Sequence, residues 1–565
     1  MANIFNSVRV KLQKKNKFNL SYATRLTTEF GRLTPFMCEE VLPNDSFKIS
    51  SAMRCQFAPM KFPVMQKFTA YMHYFFVARR LVMDDWETFI TRGEDGITEI
   101  PYPVVALDDN YLGAFTDDEL LEQFGASSLY DYIGFPSMNT TDLHNIVTSE
   151  TLEECHDIDL LPFRAYQLVY NEWYRDQTLS DEVNIHSDVS GIANLQITEH
   201  DIADIFKLRN RAWKKDYFTS ALPDPQRGPD VTLPIAGDMR IVRDTDYPDE
   251  TDVISDKIYP TNGGTVGNIQ TVDNLGSLAA EQAPSSGANM SILGKFGVSN
   301  IAHKMKVNSA NLRSATINEV RRAFAIQRWY ELAARAGNRY IEQILAHFGI
   351  RSSDARLQRP QYLGGCVIPV NVGDILQTSE TNETPLGTPA GVAQAMGRNK
   401  PIRFTSEEHG YILGILSVVP EASYPQGTPR KFLRRETFDF AWPLLANIGE
   451  QEIQRRELFT DFGLTPDEQK QGFGYAPRYA EYKFGLSQVH GDFRTSLRDF
   501  HDARFFVSVP RLNDEFLQVS TDNDGDDGLN RIFAVRSNQM ADHLWVHMYN
   551  DILVRRVLPK YGTPV

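Results

Sequence analysis

Strand-forming sequence stands at both ends of this chain, with helices and long loops between. Near the N-terminus, "MCEEVLPNDSFKISSAMRCQFAP" and "KFTAYMHYFFVARR" are rich in β-branched and aromatic residues, and "LPND" supplies a turn. The aromatic run in "FTAYMHYFFV" is nearly unbroken, which predicts a strand covered on both faces. From Cys366 onward the same texture returns in "HGYILGILSVVP", "KFLRRETFDFAW", "PRYAEYKFGL", "ARFFVSVP" and "HLWVHMYNDILVRRVLP". The last alternates Leu544, Val546 and Met548 against His543, Trp545 and His547, a period of two. The pattern predicts a mainly β protein with inserted helices: a single antiparallel jelly-roll β-sandwich with long elaborated loops.

Length alone would allow three or four domains in 565 residues. The ordering of elements argues instead for a basic arm over residues 1–20 and one domain over 21–565. That domain carries insertions at about 84–160 and 236–312. The stretch 216–235, "DYFTSALPDPQRGPDVTLPI", holds four prolines and cannot be helical after Leu222; it reads as a rigid passage into a strand at "VTLPI". The best helical segment is "TINEVRRAFAIQRWYELAARAGNRYIEQILAHFG". Thr316 and Glu319 form a capping box, Gly337-Asn338 divides the segment, and Gly349 ends it.

The net charge is −15, which argues against a chain coated for nucleic acid, but the charge is uneven. Up to Pro35 there are seven basic residues against Glu29 alone; from Asp84 to Asp159 there are nineteen acidic residues against Arg92 alone. Arg9, Lys11, Lys14, Lys15 and Lys17 make the arm a candidate phosphate contact, although a solvated tail has the same composition. No apolar run approaches the roughly 18 residues of a membrane helix. The N-terminus lacks the apolar stretch of a secretory signal, so synthesis in a cytoplasm is expected. Cys38, Cys55, Cys155 and Cys366 have neither zinc nor disulfide spacing and read as buried or idle thiols.

Three constellations invite chemistry and carry little of it. His543 and His547 share one face of a strand, so a solvent or interface face is expected rather than a metal site. Asp522 to Gly528, "DNDGDDG", has the composition of a calcium loop, but positions six and twelve hold Asp527 and Phe533 where an EF-hand needs glycine and glutamate. Glu407, Glu408 and His409 are neighbours on a strand, where alternation prevents convergence. Phosphate-loop and nucleophile-elbow motifs are absent. No enzyme, cofactor or metal is therefore expected. The stretch "LPFRAYQLVYNEWYRDQ" sets Phe163, Tyr166, Tyr170, Trp173 and Tyr174 on one helical face, suited to packing or an interface rather than to base stacking.

Six ordered strings are more specific than composition: "LPFRAYQLVYNEWYRDQ", "KKDYFTSALPDPQRGPDVTLPI", "DARLQRPQYLGG", "EEHGYILGILSV", "FDFAWPLLANIGEQ" and "FGYAPRYAEYKF". With the N-terminal strand block they span about residues 20 to 500 and resemble the major capsid protein of the Microviridae, in particular its gokushovirus-like branch. The resemblance implies a jelly-roll coat protein that builds a small T=1 icosahedral shell around circular single-stranded DNA. It implies a virion component assembled in the cytoplasm of a bacterial host, with no catalytic residue, no cofactor and no membrane. Internal scaffolding and DNA pilot proteins are implied helpers. The stretch 236–312, with Asp244, Asp246, Asp249, Glu250, Asp252 and Asp256, occupies the place of the branch's surface protrusion, a candidate receptor site.

A shell subunit must bury several distinct patches, because such contacts are heterologous and each needs on the order of 1,200–2,000 Å². Two other classes remain on the residues alone: a β-sandwich module binding sugar or peptide on its loops, and a carboxylate-dependent hydrolase.

Overall fold

The computed structural model describes residues 14–94, 96–107, 109–139, 141, 157–188, 198–229, 231, 240–243, 305–308, 316–337, 339–376, 389–520, 528–534 and 542–561. Eight strands carry the architecture: β1 (Tyr22–Thr28), β2 (Thr34–Val41), β3 (Ser46–Phe57), β4 (Phe68–Ala78), β5 (Gln361–Pro369), β6 (Pro389–Arg398), β7 (Gly410–Pro420) and β8 (Leu544–Arg556).

They form two antiparallel sheets, one in the order β1-β8-β3-β6 and the other β2-β7-β4-β5. The first strand thus pairs with the eighth, the second with the seventh, the third with the sixth and the fourth with the fifth. One long antiparallel ribbon, rolled so that successive pairs fall in alternate sheets, gives this order, and it is the jelly roll. Short segments extend the first sheet: Asn16–Asn19 on β8, Ile402–Thr405 on β3 and Asn371–Leu376 on β6. Residues 16–19 fall within the expected arm yet are strand, so the free arm is shorter than the sequence implied.

Alternation explains which side of each strand faces the core. Phe47, Ile49, Met53, Cys55 and Phe57 of β3 are buried with Val546, Met548, Ile552 and Val554 of β8, against Phe68, Met72, Tyr74 and Phe76 of β4. At one end Phe30, Phe57 and Phe68 meet at centroid separations of 5.4–5.5 Å. Strand β7 buries both faces throughout and β4 does so from Tyr74 onward, its earlier outer residues being half-buried. Their outer residues Phe75, Val77, Tyr411, Leu413 and Ile415 lie under a helical layer. That layer comprises α1 (Trp86–Thr91), α2 (Asp109–Gly113), α3 (Asp117–Phe124), α4 (Leu129–Ile133), α5 (Leu161–Val169) and α6 (Glu199–Phe206). Most of it comes from the acidic excursion, whose apolar islands supply Trp86, Leu120, Phe124, Leu129 and Tyr130 to the buried cluster.

Two later helices, α7 (Ile317–Ala336) and α8 (Tyr340–Phe348), match the expected helical segment. The Thr316–Glu319 capping box forms, Gly337 breaks the run at φ +101°, and Gly349 closes α8 at φ +68°. Residues 229–329 cluster as a compact unit of their own; within it, Arg240–Arg243 pairs with Met305–Asn308. The rest of the 236–312 stretch, with its six acidic candidates, and most of "VTLPI" lie outside the described residues.

Three expected strands are absent. In "KFLRRETFDFAW" the Asp439 carboxylate accepts the amides of Arg435 (2.7 Å) and Glu436 (2.9 Å), closing a 3-10 turn at Thr437–Asp439 in place of a ladder. In "ARFFVSVP" the Gln426 side chain takes both ladder groups of Phe506, donating to its carbonyl (2.9 Å) and accepting from its amide (2.7 Å). "PRYAEYKFGL" folds into a turn at Ala480–Tyr482; only the preceding Gly472–Pro477 pairs, with Glu450–Gln454.

Candidate functional site

The aromatic stripe begins in α5 and continues through a π-helical turn, Tyr170–Tyr174. Phe163 is fully buried, with rings of Phe206 at 4.7 Å and Phe135 at 5.5 Å. The Tyr166 hydroxyl donates to the Leu33 carbonyl (2.8 Å) and accepts the Arg209 amide (3.1 Å); burial pushes its pKa up. The Arg209 guanidinium lies 5.6 Å from the Tyr170 ring centre. Trp173 is only partly buried; its indole donates to the Pro360 carbonyl (3.0 Å) while Arg359 covers its face at 4.4 Å. The Tyr174 hydroxyl bonds His73 Nδ1 at 2.8 Å, and burial together with Arg211 depresses the pKa of His73 to about 4, so the imidazole is neutral. The structure therefore places the stripe beneath the chain's own β4–β7 surface.

Sequence reasoning missed the polar side of this helix. Arg164, Gln167 and Asn171 are spaced three and four apart and are all buried. Gln167 donates to the carbonyls of Ile205 and Lys207, each at 2.8 Å, and Asn171 brackets Val183 by donating to its carbonyl (2.7 Å) and accepting its amide (3.1 Å). Polar residues at helical spacing inside an otherwise apolar helix were the available signal.

Of the basic arm, Arg9 and Lys11 lie outside the described residues. Lys14 is exposed, Lys15 Nζ reaches Ser46 Oγ at 3.4 Å, and Lys17 sits opposite Arg555 at the sheet edge.

The candidate chemical groups do not converge. Glu408 holds Arg80 by two hydrogen bonds (2.6 and 3.2 Å), His409 meets the Trp86 ring at 5.6 Å, and Glu407 is exposed. His543 is not on the exposed face the sequence suggested. Lying just before β8, it is fully buried, stacked on Phe533 at 4.4 Å and bonded to Glu29 at 2.6 Å, whereas His547 is exposed. Asp522–Asp527 lie outside the described residues. Among the described residues, no group of three His, Cys, Asp or Glu side chains could hold a metal ion. Cys38, Cys55 and Cys366 are free thiols, and burial pushes Cys55 up to about 12.

What the subunit does present is uncovered apolar surface. On α8, Tyr340, Leu345 and Phe348 are exposed, while Ile341 and Ile344 of the same apolar face are partly covered. Ile317, Phe324, Trp329 and Leu332 of α7 are likewise exposed. A second run follows β7, with Phe432, Phe438, Phe440, Trp442, Leu444 and Ile448 exposed within one passage of turns. Isolated exposed apolar residues are ordinary; two concentrated runs of large ones mark surfaces made to be covered.

A jelly roll whose long loops bear uncovered aromatic residues fits a structural subunit that other chains cover. The comparisons with known proteins say the same: the family model described as "Capsid protein (F protein)" matches residues 6–565, and the chain belongs to that family. It is 30% identical to capsid protein VP1 of Chlamydia phage 1 over 92% of both chains. Identity is 32% to capsid protein VP1 of Bdellovibrio phage phiMH2K (90% of this chain, 88% of that one) and 28% to that of Spiroplasma virus 4 (97% and 95%). The resemblance read from the six strings thus extends over almost the whole chain, and the protein is a structural capsid component rather than an enzyme.

Proposed function

We propose that this chain is the repeating subunit of a small T=1 icosahedral shell that encloses circular single-stranded DNA in a bacterial virus. The observation that carries the reading is the near-complete match to a capsid family by a chain whose α8 and 432–448 passage leave large apolar side chains uncovered. Those surfaces meet neighbouring copies, and the heterologous contacts of a closed shell require more than one such patch. The basic arm, with Arg9, Lys11, Lys14, Lys15 and Lys17, faces the packaged strand, because sequence-blind phosphate contact suits a whole genome. Residues 236–312 form the outward protrusion and meet the host receptor; internal scaffolding and DNA pilot proteins assist assembly in the host cytoplasm.

Expression of the full chain with its viral neighbours, followed by electron microscopy and nuclease treatment, tests this. Uniform closed particles holding nuclease-protected single-stranded DNA are expected. A chain that remains monomeric under assembly conditions and is absent from virions would remove the reading.

A further inference from the structure

Among the described residues, the outer face of the β1-β8-β3-β6 sheet carries no layer of helices like that over β4 and β7, only α4 bordering it beside β1, and its composition runs against the chain's acidic average. In register across β1, β8 and β3 stand Arg25, His547 and Arg54, with both arginines exposed. Further along the same face Lys48 lies directly opposite Arg403, and Lys17 directly opposite Arg555. Like charges facing each other across strands destabilise a sheet unless something neutralises them. The strand residues pointing the same way include one carboxylate, Asp551, and Arg398 already holds it at 3.0 Å. Among the described residues no ion pair forms to Arg25, Lys48, Arg54, Arg403 or Arg555.

Aromatic rings are interleaved with these cations. Trp545 stands one row from Arg25 and Arg54, and Tyr549, about half exposed, stands one row to the other side. Two recesses open here. One of about 830 Å³, between this face, α4 and the start of β2, is lined by Arg25, Arg54, Trp545 and His547 together with Asp131 and Tyr132; the other, of about 340 Å³, by Lys48, Ser50, Arg398, Asn399 and Asp551. Cations that follow a backbone, with rings on which bases can stack, are the means by which proteins hold single strands without reading sequence. An acidic protein partner would use the charge but has no need of the rings.

We propose that this sheet face, centred on Arg25, Arg54, Lys48, Arg403, Trp545 and Tyr549, is the subunit's main contact with packaged single-stranded DNA, and that Lys15 and Lys17 extend it. The proposal rests on the shell reading above and locates the inner surface on a rigid sheet rather than on the arm alone.

The test is binding of the full chain to a labelled oligothymidylate of about 30 nucleotides at several salt concentrations. The triple variant Arg25→Gln, Arg54→Gln, Arg403→Gln is expected to bind at least about ten-fold more weakly near 0.1 M salt. Its slope of log affinity against log salt should flatten by about 2, roughly 0.7 for each phosphate that the variant no longer neutralises. The corresponding triple lysine variant should keep the slope, which separates the effect of charge from that of misfolding. Particles of the glutamine variant should form with reduced DNA content. An unchanged slope in the glutamine variant overturns the proposal, as does oligothymidylate binding no tighter than poly-glutamate, which would assign the face to an acidic protein. A flattened slope in a chain that never forms particles would support the face and remove the shell reading alone.

Discussion

Phe163 and Trp173 belong to one aromatic stripe but not to one environment. Phe163 is closed in by rings on several sides, so Phe163→Ala should lower subunit stability by about 3–5 kcal/mol. Trp173 is partly open, and Trp173→Ala should cost about 1–2 kcal/mol, the loss of part of its area and of the bond to Pro360. Equal losses in urea titrations of the two variants would contradict this ranking. Asp502 makes a pH prediction. It is fully buried, neither carboxylate oxygen accepts a hydrogen bond, and burial outweighs the Arg531 guanidinium 3.9 Å away to raise its pKa to about 7. The folded state therefore keeps a proton that the unfolded chain releases near pH 4, and stability falls as pH rises from about 4 to about 7. Asp502→Asn should be more stable than the parent at pH 8, by about 2 kcal/mol, and the difference should fade below pH 4, as followed by thermal unfolding across pH. The stripe was legible as a periodic row of rings, but its depth was not. Which of the five rings is sealed depends on Phe135, Phe206 and Arg359, residues distant in sequence that only the fold brings together.

At the scale of elements, local signals held where the element carries its own reason to form. The Thr316–Glu319 cap, the Gly337 break and the Gly349 terminus are all written in short-range chemistry, and all three appear. The alternating residues of β8 and the apolar run of β7 likewise report their burial directly. The "KFLRRETFDFAW" and "ARFFVSVP" segments have strand composition and are not strands, because Asp439 and Gln426 occupy their backbone groups. Composition cannot show that a side chain some 80 residues away will take a ladder position. The same view explains α8, a helix with an apolar face and no buried residue. Because Tyr340 and Phe348 on that face are 71% and 75% exposed, Tyr340→Ser with Phe348→Ser should change subunit stability by no more than about 0.5 kcal/mol. It should nevertheless abolish closed particles. A calorimetric loss of several kcal/mol, or normal particles in micrographs, would show that the face serves folding or nothing at all.

For the whole molecule, the pairing of first strand with last governs what can be removed. Because β1 lies along β8, and Asn16–Asn19 continues that pairing from Asn16 opposite Arg556, the N-terminal region changes role within a few residues. The sequence shows strands at both ends, and hence a sandwich, but carries no register, and composition alone extends the arm to residue 20. Register is a long-range property: it needs Asn16 to be set against a residue 540 positions away. Removing residues 1–13 takes away Arg9 and Lys11 and leaves every described pairing in place. That truncation should fold and assemble like the parent while retaining less DNA under rising salt, since fewer phosphates are neutralised. Removing residues 1–20 also strips Lys14, Lys15, Lys17 and the segment that pairs with the last four residues of β8. It exposes an edge of unpaired backbone and should add a loss of thermal stability and a tendency to aggregate. Thermal melts and DNA content of the two truncations, measured side by side, separate the arm's electrostatic role from its structural one. If both retain the parent's DNA, the arm does not contact it; if the shorter truncation melts early, the sheet begins before Asn16.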